Sequence, residues 1–586
     1  MARLKYNFTW KKYHRWFGLV LSVFMLVFCV SGIILNHREA FSGCEVSRKW
    51  LPASYHIKNF NNGVVKGTVV KNSGSLAISE GFSDSILVYG CAGVFLTDYQ
   101  LSTWQDFNAG LPKSIDERNV RHLVQARDGS LWCAALRDVY RYDENAQQWK
   151  KVELPGNEER IMDVALGKNS IQVVALTRSR IFEITPIASN IDVSESPSSL
   201  ASSAKGGVSE KSPDIFEKKS GGFSEKVGTF LGKYRVEAKI IPAPKKYEPK
   251  TTLFKLVWHL HSGEFFGLPG KLVVDAIALV LIVLSITGIL LFILPYGIRR
   301  AKKLAAKARM KRLGKQFAWN MKWHNKIGYV TIVLTLWIAI TGMCLRPPLM
   351  VPLVLSKLPQ TVGEDGNVWQ DKLRAIRWDA VQGDWLVSTS EGFLRVDEDF
   401  SQAPKMLPDE ECPKLSPMGV TVWESDGKGG WIVGSFRGIY RWNPVNHSLN
   451  QILDYFTGKP SEETSMIPIS DNLVCGYSED FLGGKPLVFD FAKGVEDAKG
   501  QAVALCNDEP KTSRNEESMS DLICETAPMS LWNVALELHV GRCYSPFLGP
   551  LSDLFVFLSG LLITLVLLSG YIISHRRRKK AQARLK

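Results

Sequence analysis

YHRWFGLVLSVFMLVFCVSGIILNHR, running from Tyr13 to Arg38, determines the architecture of this chain. Its apolar part spans Phe17–Leu35, and three further windows are equally apolar and almost free of charge: Ala276–Ile298, Ile327–Leu345 and Leu554–Ile573. Each is about 19–23 residues long, enough to cross a hydrocarbon core of about 30 Å as a helix. No small-x-small cleavage site follows the first window, so we expect a retained helix. The sequence therefore predicts an integral membrane protein with four transmembrane helices.

The net charge of +14 is concentrated in three short runs, each free of acidic residues. They are the first 15 residues with five basic side chains, the segment Arg299–Lys315 with nine, and the tail from Arg576 with seven. The remainder of the chain carries 14 − 21, or −7. By the positive-inside rule, both termini and the central run lie in the cytoplasm, and segments 39–253 and 349–550 lie outside. Such runs are expected to contact anionic lipid, and no nucleic-acid partner is predicted.

The four windows form a repeat of two. The first and third share a histidine, a glycine four residues later and a hydroxyl-glycine pair fourteen residues beyond that: His14, Gly18, Ser31 and Gly32, then His324, Gly328, Thr341 and Gly342. The second and fourth share a preceding Leu-His-x-Gly and an internal hydroxyl-glycine pair: His261, Gly263, Thr287 and Gly288, then His539, Gly541, Ser569 and Gly570. Both copies begin inside, so the sequence predicts a parallel 2+2 duplication that forms a four-helix bundle.

Seven of the ten histidines lie at predicted membrane boundaries. His14, His324 and His575 are at cytoplasmic ends, and His37, His259, His261 and His539 are at outer ends. Ionisable residues at membrane depth are costly and indicate function, and imidazole is a common ligand of haem iron. The sequence therefore favours haem binding.

Residues 14, 18 and 32 share one helix face, because eighteen residues make five turns. A glycine strip beside a histidine would accept a flat macrocycle, although glycines also serve helix packing. The duplication suggests that His14 pairs with His324 at an inner haem and His261 with His539 at an outer one. His37 and His575 lack counterparts and stay open as replacement ligands or propionate partners. About 34 Å of helix separates His14 from His37, so two haems b are expected, one for each face.

The stretch from Tyr13 to Arg38, together with Leu-His-x-Gly before a later helix, resembles the PepSY-associated transmembrane family. That resemblance implies a bacterial inner-membrane protein that holds haem between its helices and passes electrons to ferric siderophores in the periplasm. It implies ligand roles for His14, His37, His261, His324, His539 and His575. The PepSY modules usual in relatives are not recognisable here.

Both outside segments instead contain short alternating runs around glycine or polar turns, which predict β-hairpins. The clearest are Gly129–Asp143, Gly383–Asp397 and Gly430–Asn443, with weaker copies at Leu87–Asp98, Ile171–Ile184 and near Leu473–Phe491. They resemble the propeller repeats of two-component regulator sensors. Three blades in each segment would close one six-bladed propeller; two separate β-domains are the alternative. Trp132, Trp385 and Trp431 are predicted to be blade core.

The predicted divisions follow in chain order. They are 1–38, cytoplasmic segment and first transmembrane helix; 39–187, periplasmic β insert; 188–250, flexible linker and lead-in; 251–298, interfacial helix and second transmembrane helix; 299–318, basic cytoplasmic loop; 319–347, third transmembrane helix; 348–530, second periplasmic β insert; 531–575, interfacial helix and fourth transmembrane helix; and 576–586, basic tail. A disulfide between Cys506 and Cys524 is the first to test.

The leading functional hypothesis is a di-haem electron-transfer protein of the bacterial inner membrane that reduces a periplasmic ferric siderophore or similar chelate. A quinol or a partner reductase would supply electrons, because no cytoplasmic segment is large enough to bind a flavin or nicotinamide. The first alternative is a non-enzymatic propeller sensor or assembly protein, with a protein ligand at the propeller. The second is a haem or metal transporter. The hypothesis of metal transport is weakened because Asp275, Cys29 and Cys344 do not form a ligand set.

Overall fold

The computed structural model describes most of the chain. The described residues are 2–57, 65–71, 85–99, 104–157, 159–186, 229–231, 234–360, 366–415, 419–435, 438–451, 474–481, 484–490, 494–497 and 527–585. The predicted Cys506–Cys524 disulfide and the linker stretch 187–228 lie outside this set.

The helices fall in three groups along the chain. Their bounds are α1 Ala2–Asn36, α2 Leu253–Ser262, α3 Gly267–Lys303, α4 Lys307–Val330, α5 Ile332–Cys344, α6 Met350–Leu355, α7 Leu531–His539, α8 Ser545–Leu548 and α9 Ser552–Leu585. Three stretches are long and apolar enough to cross a membrane as single helices: Lys11–Asn36, Glu264–Lys303 and Ser552–Lys580. The chain therefore has the helices of a multi-span membrane protein. Segment 299–318, expected to be a loop, is helical except at residues 304–306.

The third predicted span is not a single straight helix. Helices α4 and α5 meet at Thr331 with a bend of 68°, and only together are they long and apolar enough to make a fourth span. The Thr331 hydroxyl donates to the Ile327 carbonyl at 2.9 Å, and the Thr335 hydroxyl donates to the Thr331 carbonyl at 3.1 Å. Such side-chain bonds to preceding carbonyls compete with the helical ladder and bend helices.

Two short helices, α2 and α7, precede the spans α3 and α9. Each begins at a hydroxyl N-cap: Thr252 accepts from the Lys255 amide and Ser530 from the Asn533 amide, both at 3.2 Å. Gly263 and Gly541 follow with φ of 78° and 85°, values that favour glycine. The repeated Leu-His-x-Gly is thus a helix end, with a histidine in the last turn of each short helix.

Six antiparallel sheets of three to five strands lie in the described residues, three from each half. Sheet 1 contains β2 Gly67–Lys71, β3 Ser85–Gly90, β4 Gly93–Asp98 and β5 Trp104–Asp106; sheet 2 contains β6 His122–Gln125, β7 Leu131–Ala134, β8 Val139–Asp143 and β9 Gln148–Val152. Sheet 3 contains β10 Ile161–Leu166, β11 Val173–Thr177, β12 Ile181–Pro186, β13 Thr229–Leu231 and β14 Tyr234–Lys239, in the order 10-11-12-14-13. Strands β13 and β14 lie in the part of the chain expected to be linker and lead-in.

The second half supplies sheets 4 to 6. Sheet 4 contains β17 Leu373–Asp379, β18 Asp384–Thr389, β19 Gly392–Val396 and β20 Lys405–Met406; sheet 5 contains β21 Val422–Ser425, β22 Trp431–Ser435, β23 Gly438–Asn443 and β24 Ser448–Gln451; sheet 6 contains β25 Val474–Ser478, β26 Leu487–Asp490 and β27 Gly494–Asp497. Neighbouring strands are joined as hairpins, with Trp385 opposite Val396, for example. Trp132 and Trp385 are each 1% exposed and belong to the core, as the sequence predicts, whereas Trp431 is half-buried.

Each sheet shares its hydrophobic core with the sheets before and after it. Separate clusters of buried side chains join sheets 1 and 2, 2 and 3, 3 and 4, 4 and 5, and 5 and 6. A sixth cluster, containing Phe95 and Phe489, joins sheet 6 back to sheet 1. Apolar burial therefore ties the two halves of the chain together in two places.

Two small ladders connect helices to sheets. After α1, β1 Glu45–Val46 pairs with β28 Met529–Ser530, which leads into α7. After α6, β16 Lys357–Pro359 pairs with β15 Lys250–Thr252, which leads into α2. Each ladder joins a strand of the first half to one of the second, so the halves are also paired where the chain passes between helices and sheets.

Candidate functional site

Two histidines meet at the end of the helical region closest to the sheets. His261 lies in the last turn of α2 and His539 is the last residue of α7. Their ring centroids are 6.1 Å apart, with the planes inclined by 51°. We refer to His261 and His539 as the proximal pair. The duplication predicted this pairing, and the structure brings the two rings together.

A second pair lies toward the other end of the helices. His14 of α1 and His324 of α4 have ring centroids 6.5 Å apart and planes inclined by 71°. We refer to them as the distal pair. On α1, His14 is seventeen residues from Ser31, which contacts His539, so the two pairs are separated by about 25 Å along the helix.

Each of the four rings contacts a hydroxyl group from the other half of the chain. The Nδ1–oxygen distances are 2.9 Å for His14 and Ser569, 2.8 Å for His324 and Thr287, 3.1 Å for His261 and Thr341, and 3.0 Å for His539 and Ser31. All four hydroxyls belong to the hydroxyl-glycine pairs of the sequence repeat. The same local arrangement therefore occurs four times.

The hydrogen bonds indicate which ring nitrogen carries the proton. Nδ1 of His14 also lies 3.1 Å from the Val566 carbonyl oxygen, and Nδ1 of His539 lies 3.1 Å from that of Phe28. Carbonyl oxygens only accept, so Nδ1 donates in both rings. The hydroxyl protons are used within their own helices, since Ser31 donates to Val27 at 2.7 Å and the other three hydroxyls make equivalent bonds. With Nδ1 protonated, the Nε2 lone pair of a neutral ring is available to a ligand.

The glycine beside each hydroxyl leaves space for the incoming ring. A Cβ added to Gly342 would lie 2.8 Å from Cε1 of His261, and one on Gly570 would lie 2.9 Å from Cε1 of His14. The corresponding distances are 3.3 Å at Gly32 and 3.6 Å at Gly288. Gly18, by contrast, faces Val566 at 3.8 Å, an ordinary helix-packing contact. The glycines of the four hydroxyl-glycine pairs thus accommodate histidines rather than forming one continuous strip with Gly18.

The other boundary histidines have different surroundings. Nε2 of His37 lies 2.6 Å from a carboxylate oxygen of Asp275. His575 stacks on Tyr329 and Tyr571, with centroids 6.2 and 5.7 Å away. Neither ring has a contact with the proximal or distal pair among the described residues. The proposed ligand roles of His37 and His575 stay predictions.

Sequence reasoning missed the positioning role of the four hydroxyls. Each was visible as a serine or threonine directly before a repeated glycine, but nothing in the sequence shows that its partner comes from the opposite half. Within the described part of the chain, no group of three or more His, Cys, Asp or Glu side chains is arranged to hold a metal ion. The site therefore consists of two imidazole pairs with oriented rings.

Fold and site together define a multi-span membrane protein with two pairs of histidines among its helices and a large β portion. The family model for the PepSY-associated TM region matches residues 5–295 and again residues 293–578, once for each half. The chain belongs to this family. No curated protein matches the sequence.

Among solved structures, two of the extracellular domain of BT4673 from B. thetaiotaomicron are similar. One is described as part of a one-component system and one as part of a hybrid two-component system. Identities are 11% and 10%, the matches cover 74% and 75% of this chain, and both TM-scores are 0.31. The chain spans about a third of each of those structures, 32% and 33%. Scores this low carry no inference about function or fold.

Proposed function

We propose that the protein binds two b-type haems and carries electrons across the bacterial inner membrane to a ferric siderophore or similar chelate. One observation carries the proposal: the proximal and distal pairs each bring two imidazole rings together. In each ring Nδ1 is hydrogen-bonded and Nε2 is available to bind a metal. Haem iron takes imidazole ligands from the protein, and each pair would offer two. Family membership supports the same assignment.

The ring separations fit two imidazoles that would bind one metal ion. A metal–imidazole bond of about 2.0–2.1 Å, plus about 1.1 Å from nitrogen to ring centre, places two ring centres about 6.3 Å apart across one metal. The observed separations are 6.1 and 6.5 Å. His261 and His539 would hold one haem, and His14 and His324 the other. Bound haem would supply one-electron redox chemistry.

The surrounding residues orient these ligands. Ser31, Thr287, Thr341 and Ser569 accept the Nδ1 protons, and such partners fix the tautomer and raise the basicity of a ligating ring. Their neighbouring glycines let the rings approach the helix backbone. The Asp275 carboxylate would play the same orienting role if His37 also acts as a ligand.

The finer architecture belongs to this proposal. With the bent α4–α5 pair as one span, four spans form a bundle with both termini and the basic helical connection in the cytoplasm, as the positive-inside rule requires. Sheets 1 to 6 are then the blades of one periplasmic propeller, because each shares a core cluster with the next and the sixth with the first. Quinol or a partner reductase would deliver electrons at the distal pair.

A reduced-minus-oxidised absorption spectrum with haem quantified per chain tests the proposal. The wild-type protein, purified from cells with ample haem, should show b-type bands and about two haems. His14→Ala/His324→Ala and His261→Ala/His539→Ala should each lose one haem. The control is His447→Ala, because that exposed ring of sheet 5 is hydrogen-bonded to Glu411, away from the helices. A colourless wild-type protein would refute the proposal.

A further inference from the structure

A cluster of positive charge lies between the proximal pair and the sheets. Its members come from the end of the first span, from α2 and from the loops and first strands of sheets 2 to 4, and they influence one another electrostatically: Arg38, Arg121, Arg160, Arg178, Lys255 and Arg374. Three carboxylates, Asp116, Asp163 and Asp371, lie among them. Six cations and three anions give a formal balance of +3. We refer to these residues as the basic cluster.

All three carboxylates are already paired, Asp163 with Arg377 at 2.6 Å. Arg38 makes a bidentate pair with Asp116, with both nitrogen–oxygen distances 2.6 Å. Arg178 and Lys255 share Asp371, at 2.7 and 2.8 Å. These carboxylates therefore already have cationic partners other than Arg121 and Arg160.

Arg121 and Arg160 lack oxygen partners within the described residues. The Arg121 guanidinium donates to Sδ of Met162 at 3.1 Å, a weak acceptor. The Arg160 guanidinium has as its partner the face of Trp532, 5.9 Å away. Burial, and then the charges of Arg178 and Arg38, lower the pKa of Arg121 to about 10. Burial and the same neighbours lower the pKa of Arg160 to about 9. Both side chains are partly exposed, so an anion from solution could reach guanidinium groups that have no protein oxygen as acceptor among the described residues.

The basic cluster connects directly to the proximal pair through two short helices. Trp532 of α7 carries the Arg38 guanidinium 4.0 Å from its ring centre, and His539 follows one to two turns later, about 10 Å along the same helix. Lys255 of α2 precedes His261 by about 9 Å. The N-terminal ends of both helices point away from the proximal pair toward the basic cluster and add positive potential there.

We propose that the basic cluster binds a carboxylate-rich anionic iron chelate, with Arg121 and Arg160 as the principal contacts. This inference rests on the proposed function and specifies its substrate class. Guanidinium groups bind carboxylates through paired hydrogen bonds. A site with a surplus of three positive charges attracts a polycarboxylate complex and repels a cationic chelate. Bound there, the chelate would lie next to the helices that carry the proximal pair, where one electron reduces its ferric iron to ferrous iron.

Equilibrium binding of citrate and of ferric citrate to the full-length protein in uncharged detergent tests the inference. We expect saturable binding that weakens as salt rises, and at least a tenfold loss in Arg121→Gln/Arg160→Gln. The matched control is Arg127→Gln, since Arg127 is exposed on sheet 2 and should bind normally. The double variant should fold, because it removes two poorly paired, partly exposed charges. Its melting temperature should no longer rise with citrate.

Two further arms separate this inference from its competitors. His261→Ala/His539→Ala, expected to lack the proximal haem, should still bind citrate; loss of binding there would mean that haem itself creates the site and would overturn the inference. Phosphatidylglycerol binding through Arg121 and Arg160 without citrate binding would indicate a lipid site and also overturn it. A colourless protein that binds citrate through these arginines would refute the haem proposal alone. A protein that contains haem but does not bind citrate would refute the proposed anion site alone.

Discussion

Four glycine-to-alanine substitutions at chemically equivalent positions should affect haem binding to different degrees. The added methyl carbon would lie 2.8 Å from Cε1 of the histidine at Gly342, 2.9 Å at Gly570, 3.3 Å at Gly32 and 3.6 Å at Gly288. Only the last is an ordinary van der Waals contact, since those begin at 3.4 Å. We therefore expect Gly342→Ala and Gly570→Ala to be the most damaging and Gly288→Ala to be tolerated.

The size of the effect at Gly342 follows from the geometry. To restore 3.4 Å the His261 ring must withdraw by 3.4 − 2.8, or 0.6 Å. A withdrawal along its 3.1 Å bond to the Thr341 hydroxyl would stretch that bond to about 3.7 Å, beyond hydrogen-bond length. A ligand site tolerates a displacement of only about 0.5 Å. Gly342→Ala should therefore lose most of the proximal haem, lowering the content from about two haems per chain toward one.

Haem content per chain and the reduced-minus-oxidised spectrum measure this directly, with thermal unfolding as the check on folding. Alanine raises helix propensity by about 1 kcal/mol over glycine at every one of these positions, so a general loss of helix stability would not explain a graded result. Equal haem content in Gly342→Ala and Gly288→Ala would show that the glycines do not make room for ligating rings, and the reasoning would be wrong.

Three further substitutions test separate parts of the structure. Thr341→Val should weaken proximal haem affinity by about 10–100-fold, whereas Thr564→Val, whose hydroxyl donates to the Gly560 carbonyl within α9, should not; haem titration measures both. Burial lowers the pKa of Lys66 to about 8, so between pH 8 and its unfolded pKa of 10.5 the unfolded chain binds more protons and stability rises with pH. The wild-type minus Lys66→Met difference in unfolding free energy should rise over that window, and a flat difference would contradict the shift. Asp116→Asn, in a buried ion pair, should cost about 3–5 kcal/mol by denaturant unfolding, against about 0–1 for Lys168→Met in an exposed one.

The sequence contained much of the helical arrangement. Apolar length located the spans, and the matched spacing of histidine and glycine predicted that His14 would lie near His324 and His261 near His539. The bend at Thr331 was not predicted, because hydropathy measures composition and is insensitive to a hydroxyl that bonds to a preceding carbonyl. Strands β13 and β14 were missed because the Ser/Gly/Lys-rich stretch before them suggested that the linker continued.

Contacts between distant parts of the chain were beyond sequence reasoning. The basic cluster brings together residues as far apart as Arg38 and Arg374, and each is unremarkable in its own segment. The hydroxyl that holds each histidine likewise belongs to the opposite half of the chain. A single sequence carries no information about such pairings unless a repeat implies them. This repeat matched histidine with histidine and hydroxyl with hydroxyl, so it did not indicate which hydroxyl contacts which histidine.

The histidines of each half contact hydroxyl-glycine pairs of the other half, so each site is built from both copies of the duplicated unit. His14 of α1 contacts the hydroxyl-glycine pair of α9. His539 of α7 contacts the hydroxyl-glycine pair of α1. Helices α2 to α5 make the same exchange through His261 and His324. Every ring is therefore held by the opposite half, and each histidine pair takes one ring from each half. One half alone would have histidines without partners and hydroxyl-glycine pairs without rings, so both sites depend on both copies being present together.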